Sequence, residues 1–311
     1  MRNRQTKLAL LATMTGNSIF GFSFMFSRLA LAEATPFTML MYRFILAFVG
    51  LNLLALWAAR GRKKAAGEVS ADDFLRFDLR GKPVMPLLAL GVVQPVIYFL
   101  CESYGIAMTN ASFSGVIIAL VPIVALGLGA LLLHEIPTKK QVLCSLLSIA
   151  GVIVMTLQQS AEGEIQPLGV VLLFGAVLSG VMFNIISRGI SGQFSPLERT
   201  YVMMGVGAIA FTALAFYEQR TDLSALLAPM GSTSFMLGMA YLSLASSIGA
   251  FLLLNYASGH LPVAKMTAFC NLTTVISVFA GVVFLHEPFT VVSLAASAVI
   301  ILGIWGVQRA G

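Results

Sequence analysis

Charge is what this sequence lacks most. Only 10% of its 311 residues are Asp, Glu, Lys or Arg, whereas soluble domains carry about 25%. A water-soluble globule needs a charged surface that this chain cannot supply, and intrinsic disorder needs high charge with low hydrophobicity. Because 58% of the residues are hydrophobic and the mean hydropathy is +0.92, the sequence predicts an integral membrane protein.

Cysteine and the common catalytic motifs are also scarce. Cys101, Cys144 and Cys270 each lie inside an apolar run and none belongs to a CxxC pair, so we expect neither a disulfide framework nor a zinc site. The chain has no Walker motif, no Rossmann fingerprint, no HExxH and no GxSxG signature. We therefore expect no enzymatic activity, no metal and no cofactor, and ATP-driven transport would require a separate subunit.

Apolar runs long enough to cross a bilayer fill most of the chain. A helix needs about 20 mostly apolar residues to span the hydrocarbon core. Breaking the sequence at charges, prolines and turn residues gives ten such runs: approximately 7–32, 36–58, 84–107, 110–133, 138–157, 167–190, 196–217, 234–258, 262–285 and 290–308. The first run resembles a signal peptide, but it exceeds the 7–15 apolar residues of a signal peptide, so we expect a retained helix.

Basic residues set the predicted orientation. If ten helices alternate, 16 of the 19 Lys and Arg residues fall on one side, including those of the 59–83 loop. The cytoplasmic excess of basic residues then predicts that both termini are cytoplasmic. The net charge of +6 follows this pattern, so we expect the lipid bilayer and a small-molecule substrate as partners, and no nucleic acid. A monomer and a homodimer are both compatible with the sequence.

An internal repeat divides the chain into two halves. An offset of 152 pairs His134-Glu135 with His286-Glu287 and Tyr104 with Tyr256. In the earlier part of each half, an offset of 160 pairs Ser27-Arg28 with Ser187-Arg188. The predicted repeats are residues 1–158, with the cytoplasmic loop 59–83, and residues 159–311. Since five helices is an odd number, the halves have opposite orientations, as in secondary transporters whose sites lie near the midplane between repeats.

The sequence also resembles a family. Its opening "GNSIFGFSFMFSRLALAEATPFTMLMYRF" and the paired "HE" helix ends are similar to EamA-type members of the drug/metabolite transporter superfamily. This resemblance covers nearly the whole chain and implies a ten-helix carrier of small metabolites in a bacterial inner membrane. Many members are considered exporters, some of amino acids, and the superfamily also contains importers.

Polar and aromatic residues deep in the spans are the candidate binding residues. Polar groups in a membrane helix usually face the bundle interior or a water-filled cavity. The predicted substrate-binding residues are Asn17, Phe24, Gln94, Tyr98, Asn184, Tyr241, Ser246, Thr267 and Asn271. The alternative for each polar side chain is a hydrogen bond that only joins neighbouring helices.

Glu102 is the only acid well inside a predicted span. It is a candidate coupling residue that could bind a proton or a substrate amine. The favoured alternative is a structural ion pair with Arg43 or Arg28. The two His-Glu pairs would lie at opposite membrane faces, so we expect them to anchor helix ends rather than bind metal.

The predicted function is a secondary transporter of an amino acid or related metabolite, working as an exporter by alternating access around a midplane cavity. The alternatives are an uptake carrier for a nucleoside, sugar or vitamin-like solute, and a membrane-embedded enzyme or channel. The sequence leaves open the substrate identity, the direction and the coupling ion.

Overall fold

The computed structural model of the chain describes residues 2–64, 77–133, 138–161, 165–261, 266, 269–287 and 290–309, and these ranges contain helices and turns but no strand. Helices occupy all ten predicted spans and are numbered in chain order: α1, Arg2–Leu31; α2, Pro36–Lys64; α3, Met85–Ala107; α4, Ala111–Ile118 with Val121–Leu133; α5, Lys139–Ala161; α6, Pro167–Ile190; α7, Pro196–Glu218; α8, Thr233–His260; α9, Cys270–Phe284; α10, Val291–Arg309. Seven of these described helices are long and apolar enough to cross a membrane, and shorter apolar helices lie within α9 and α10.

Helix boundaries follow local sequence signals. Pro36, Pro167 and Pro196 each begin a helix, where the missing N–H costs nothing. α4 breaks at residues 119 and 120, just before Pro122, since a proline inside a helix kinks or interrupts it. α2 continues to Lys64, beyond its predicted end. Residues 65–76 of the loop between α2 and α3 lie outside the described residues, and 77–79 have no regular structure.

The helices of each repeat pack mainly on helices of the other repeat. α1 packs on α8 and α9, and α6 of the second repeat packs on α3 and α4 of the first. α2 packs on α7, α4 on α9, and α5 on α10. Every one of these contacts joins the repeats, so the space between α1, α3, α6 and α8 lies at their interface.

Small residues allow the close contact between α5 and α10. A Cβ added at Gly303 would lie 2.7 Å from the carbonyl oxygen of Cys144, and one at Gly151 would lie 3.1 Å from that of Ala296. These two glycines are equivalent at the offset of 152. In lipid, helices associate through such close packing rather than through a hydrophobic driving force.

The repeated Ser-Arg pair makes the same contact in both halves. The Arg28 guanidinium donates to the carbonyl oxygens of Ile106 (3.1 Å) and Ala107 (3.3 Å), and Arg188 donates to that of Ser258 (2.8 Å). Ile106 and Ser258 are equivalent at the offset of 152. An arginine at a helix C-terminus satisfies free carbonyls and complements the helix dipole. The two repeats therefore share this arginine–carbonyl contact as well as the Ser-Arg sequence.

Two carboxylates join the repeats near opposite ends of the bundle. Glu287, after α9, accepts hydrogen bonds from the backbone N–H groups of Ala111 (2.7 Å) and Ser112 (2.9 Å) at the start of α4. This contact agrees with the helix-end role expected of the second His-Glu pair. The first pair, His134-Glu135, lies outside the described residues.

Glu198 makes the second of these contacts. It is fully buried in the first turn of α7. Its carboxylate accepts from Lys82 Nζ at 2.7 and 2.8 Å and from the backbone N–H of Asp78 at 2.7 Å. The segment before α3 is thereby held against the second repeat.

Candidate functional site

A cavity of about 80 Å³ lies at the interface of the repeats. A water molecule needs roughly 10–15 Å³ measured in this way, so the cavity has room for a small solute. Its lining comes from both repeats: Asn17, Phe20, Ser23, Phe24, Arg43, Gln94, Tyr98, Phe99, Glu102, Ile118, Val121, Gly180, Phe183, Asn184, Leu254, Met266 and Thr273.

Equivalent positions of the two repeats line the cavity together. The same offsets that align the His-Glu and Ser-Arg pairs also align lining residues with lining residues. The pairs are Phe20 with Gly180, Ser23 with Phe183, Phe24 with Asn184, Glu102 with Leu254, and Val121 with Thr273. The backbone thus forms a pseudo-symmetric site, while the side chains make its chemistry asymmetric.

π-helical segments interrupt α3 and α8 beside the cavity. They comprise Val92–Ile97 and Tyr241–Ala250, which overlap at the offset of 152. Inside the first, Gln94 leaves helical geometry with φ −145° and ψ 114°, and Pro95 follows it. The carbonyl oxygen of Val93 accepts a hydrogen bond from Ser179 Oγ of α6 at 2.6 Å. π-helical turns occur often at functional sites, where a local change of winding redirects side chains.

Six of the predicted residues line the cavity, and they are Asn17, Phe24, Gln94, Tyr98, Glu102 and Asn184. Two of their amides also bond within the helical framework. Asn17 Nδ2 donates to the Thr13 carbonyl at 2.8 Å, and Asn184 Nδ2 donates to the Gly180 carbonyl at 2.9 Å. Gln94 Oε1, in contrast, is buried without a partner among the described residues.

Other predicted residues lie elsewhere or cannot be placed. Tyr241 is not among the lining residues: its hydroxyl donates to the Ile19 carbonyl at 2.9 Å and its ring stacks on Phe26. Ser246 is fully buried behind the cavity, where it accepts a hydrogen bond from Arg43. Thr267 and the side chain of Asn271 lie outside the described part of the chain.

The ion pair favoured for Glu102 does not form. Arg28 contacts the carbonyl oxygens at the end of α3 instead, and Arg43 contacts serines of α8. Lys82–Glu198 is the one ion pair within 4.0 Å that the described residues make. Glu102 is instead hydrogen-bonded by Tyr98, which lies four residues earlier on the same helix face.

Arg43 and Thr273 are the main lining residues that sequence reasoning missed. From the sequence, Arg43 is expected only as an ion-pair partner of Glu102, although it interrupts the apolar run of α2. Thr273 bonds to Asn17, with its hydroxyl 3.0 Å from the Asn17 carbonyl oxygen and 3.2 Å from Oδ1. The offset of 152 could have identified Thr273, since it pairs this residue with Val121.

Comparisons with known proteins agree with this architecture. The model of the EamA-like transporter family matches residues 7–157 and 167–309. A Bacillus subtilis (strain 168) protein named uncharacterized transporter YcxC is 28% identical over 309 residues, covering 98% of this chain and 94% of its own. An Archaeoglobus fulgidus protein named uncharacterized transporter is 23% identical over 231 residues, covering 74% of this chain and 80% of its own. A solved crystal structure matches with a TM-score of 0.62 at 17% identity, covering 96% of this chain and 95% of its own, which supports the fold alone.

Proposed function

The chain belongs to the EamA-like transporter family, and from this premise we propose that it is a secondary carrier that exports an amino acid or related small metabolite. It is a multi-pass membrane protein of ten helices in two repeats. The proposed route passes through the cavity between the repeats. In this proposal, the helices of the two repeats, residues 1–158 and 159–311, change their packing so that the cavity opens to each side of the membrane in turn.

The observation that carries the proposal is the pairing of lining positions between the repeats. A site built from equivalent positions of two inverted halves has the same backbone environment when viewed from either side of the membrane. This is the arrangement that alternating access requires, because exchange of the two repeat conformations then opens the same site to the opposite side.

The chemistry of the lining favours binding over catalysis. Glu102 is the one carboxylate among the described lining residues. The described lining therefore has no pair of carboxylates for general acid–base catalysis. A few polar groups among apolar walls are instead typical of a binding site that orients a small solute.

Counterflow in proteoliposomes tests the carrier proposal. Vesicles loaded with an unlabelled solute should accumulate the labelled solute transiently above equilibrium, and initial rates should saturate. Candidates from a thermal-shift screen of amino acids, nucleosides, purines and sugars would be used. Rates that rise linearly with concentration, without counterflow, would indicate a channel. Faster efflux from right-side-out than from inside-out vesicles would support export.

Coupling is proposed to depend on Glu102 alone. If a pH gradient drives transport, Glu102→Gln should abolish the driven component while counterflow continues. The measurement compares uptake with and without the gradient in matched vesicles. Transport by the variant that is still fully driven by the gradient would exclude Glu102 as the coupling residue.

A further inference from the structure

The first two turns of α4 form a unit that is separate from the rest of the helix. All residues of Ala111–Ile118 are buried, and the helix breaks at residues 119 and 120. Ile118 and Val121, on the two sides of the break, both line the cavity. A break between two helical segments is a place where changes in φ and ψ move one segment relative to the other. Ala111–Ile118 therefore has a hinge at the level of the cavity and extends from there to the turn between α3 and α4.

α9 packs closely on this segment at successive turns. The Thr274 hydroxyl donates to the Gly115 carbonyl oxygen at 3.1 Å. A Cβ added at Gly115 would overlap the Ser277 hydroxyl, and one added at Gly281 would overlap the Ser112 hydroxyl. These contacts close the described parts of α4 and α9 against each other between the cavity and the end of the bundle where α3 meets α4.

Glu287 completes this row of contacts at the end of α9. Its carboxylate accepts hydrogen bonds from the backbone N–H groups of Ala111 and Ser112 at 2.7 and 2.9 Å, and from the Ser112 hydroxyl at 2.7 Å. His286, just before it, has a φ of 52°, a left-handed conformation that residues other than glycine seldom adopt. The Glu287 N–H donates to the Gly281 carbonyl oxygen at 3.1 Å. Such conformations persist where surrounding contacts fix them, and they are common in segments that switch.

The second repeat does not repeat the side chains that strengthen this contact. Asn110 caps α4 by accepting a hydrogen bond from the Phe113 N–H at 2.8 Å, and Ser112 supplies the hydroxyl donor. At the offset of 152 these two positions are Pro262 and Ala264, which have neither a capping amide nor a hydroxyl. The sequence therefore favours closure at the end where α3 meets α4 over closure at the opposite end.

We infer that Glu287 is the gating residue that keeps the cavity closed at the end where α3 meets α4. The gate consists of Ala111–Ile118 and α9. Loss of the hydrogen bonds to Glu287 frees Ala111–Ile118 to turn at residues 119 and 120, which opens the cavity to that side of the membrane. In the predicted orientation this is the extracellular side. The inference rests on the proposed function and adds the residue that controls access to its site.

The accessibility of a cysteine in the cavity tests the inference without any substrate. Ser23→Cys, at a small lining residue, would be introduced into a cysteine-free variant. Glu33→Cys, at an exposed residue of the turn between α1 and α2, would identify the side of the membrane on which the gate lies. Reaction with the membrane-impermeant thiol reagent MTSET would be timed from that side. Glu287→Gln should accelerate labelling of Ser23→Cys about tenfold or more, since it weakens hydrogen bonds to a charged group.

Glu198→Gln is the matched control. The Glu198 carboxylate also accepts hydrogen bonds that join the repeats, but it lies in the first turn of α7, near the opposite end of the bundle. This variant should lower the melting temperature without accelerating labelling of Ser23→Cys from the side of the gate. Ser112→Ala is a milder variant that removes only the hydroxyl donor to Glu287, and it should accelerate labelling about two- to tenfold.

The outcomes separate this inference from the proposed function. Unchanged labelling in Glu287→Gln, or equal acceleration by Glu198→Gln, would overturn the inference. If Glu287→Gln fails to fold, unchanged labelling in Ser112→Ala would overturn it instead. Labelling of Ser23→Cys as fast as that of Glu33→Cys in the parent variant would also overturn it, because the gate would then be open at rest. Absence of counterflow for every solute tested would overturn the carrier proposal and leave the labelling result unaffected.

Discussion

Individual residues of the cavity differ in whether their hydrogen-bonding groups are already used. Asn17 accepts from Thr273 and donates to Thr13, so it joins α1 to α9 as well as lining the cavity. Gln94 Oε1 has no partner among the described residues. A ligand can satisfy the second kind of group without breaking a bond inside the protein, so these two residues should respond differently to substitution.

Gln94→Ala should weaken substrate binding while leaving the melting temperature close to wild type. Loss of one hydrogen bond to a neutral group costs about 0.5–1.5 kcal/mol, which is up to roughly tenfold in affinity. Thr273→Val is the comparison: it removes the donor to Asn17, so it should lower the melting temperature more than it lowers affinity. Ligand titrations by thermal shift measure both quantities. Unchanged affinity of Gln94→Ala would show that this face of α3 does not contribute to the site. Asn271→Ala is also expected to weaken binding, and this remains a prediction from sequence.

At the scale of helices, contacts between ends decide how the repeats meet. The N-terminal turn of α4 receives the Glu287 carboxylate, which stabilises free backbone N–H groups and the positive end of the helix. Since Glu287 follows α9, this interaction joins helices of different repeats.

Glu287→Ala should therefore lower the melting temperature of the protein. N-terminal capping interactions are worth about 0.5–2 kcal/mol, and this carboxylate also accepts from the Ser112 hydroxyl at 2.7 Å. Asp222→Ala is the control, since this exposed carboxyl caps only the short turn Leu223–Leu226 through Ser224 and joins no two membrane helices. Thermal unfolding in detergent should separate the two variants. Equal decreases in melting temperature for the two variants would contradict a stabilising role of the contact between α9 and α4.

Particular helices show what sequence alone could and could not predict. Ten spans and an inverted repeat were predictable because the lengths of the apolar runs and the residues repeated at a fixed offset can be read from the sequence. The EamA-like family match confirms both predictions. The side of α8 that faces the cavity could not be predicted. Tyr241 and Ser246 are predicted cavity residues because they are aromatic or polar and lie deep in a span. Tyr241–Ala250 is π-helical, however, and its wider turn changes which side chains share a face. Arg43 was missed as a lining residue because its use depends on contacts with α8, which no local pattern in α2 encodes.

For the whole molecule, the distribution of basic residues predicts the orientation in the membrane. With 16 of 19 Lys and Arg residues on one side of ten alternating helices, both termini and the 59–83 loop should be cytoplasmic. Single cysteines placed in that loop of a cysteine-free variant should react with a membrane-impermeant maleimide only after cells are permeabilised. Labelling of a residue near Lys64 in intact cells would contradict the predicted orientation.

The central claim is that solute passes through the cavity between the repeats, and two glycines of α6 test it directly. Gly180 lines the cavity, whereas a Cβ at Gly189 would meet nothing within 4 Å. Counterflow rates would be measured for Gly180→Phe and Gly189→Phe in proteoliposomes containing equal amounts of monodisperse protein. The account predicts that Gly180→Phe loses saturable counterflow because its ring fills the cavity, while Gly189→Phe transports at nearly the wild-type rate. Full counterflow by Gly180→Phe would contradict it.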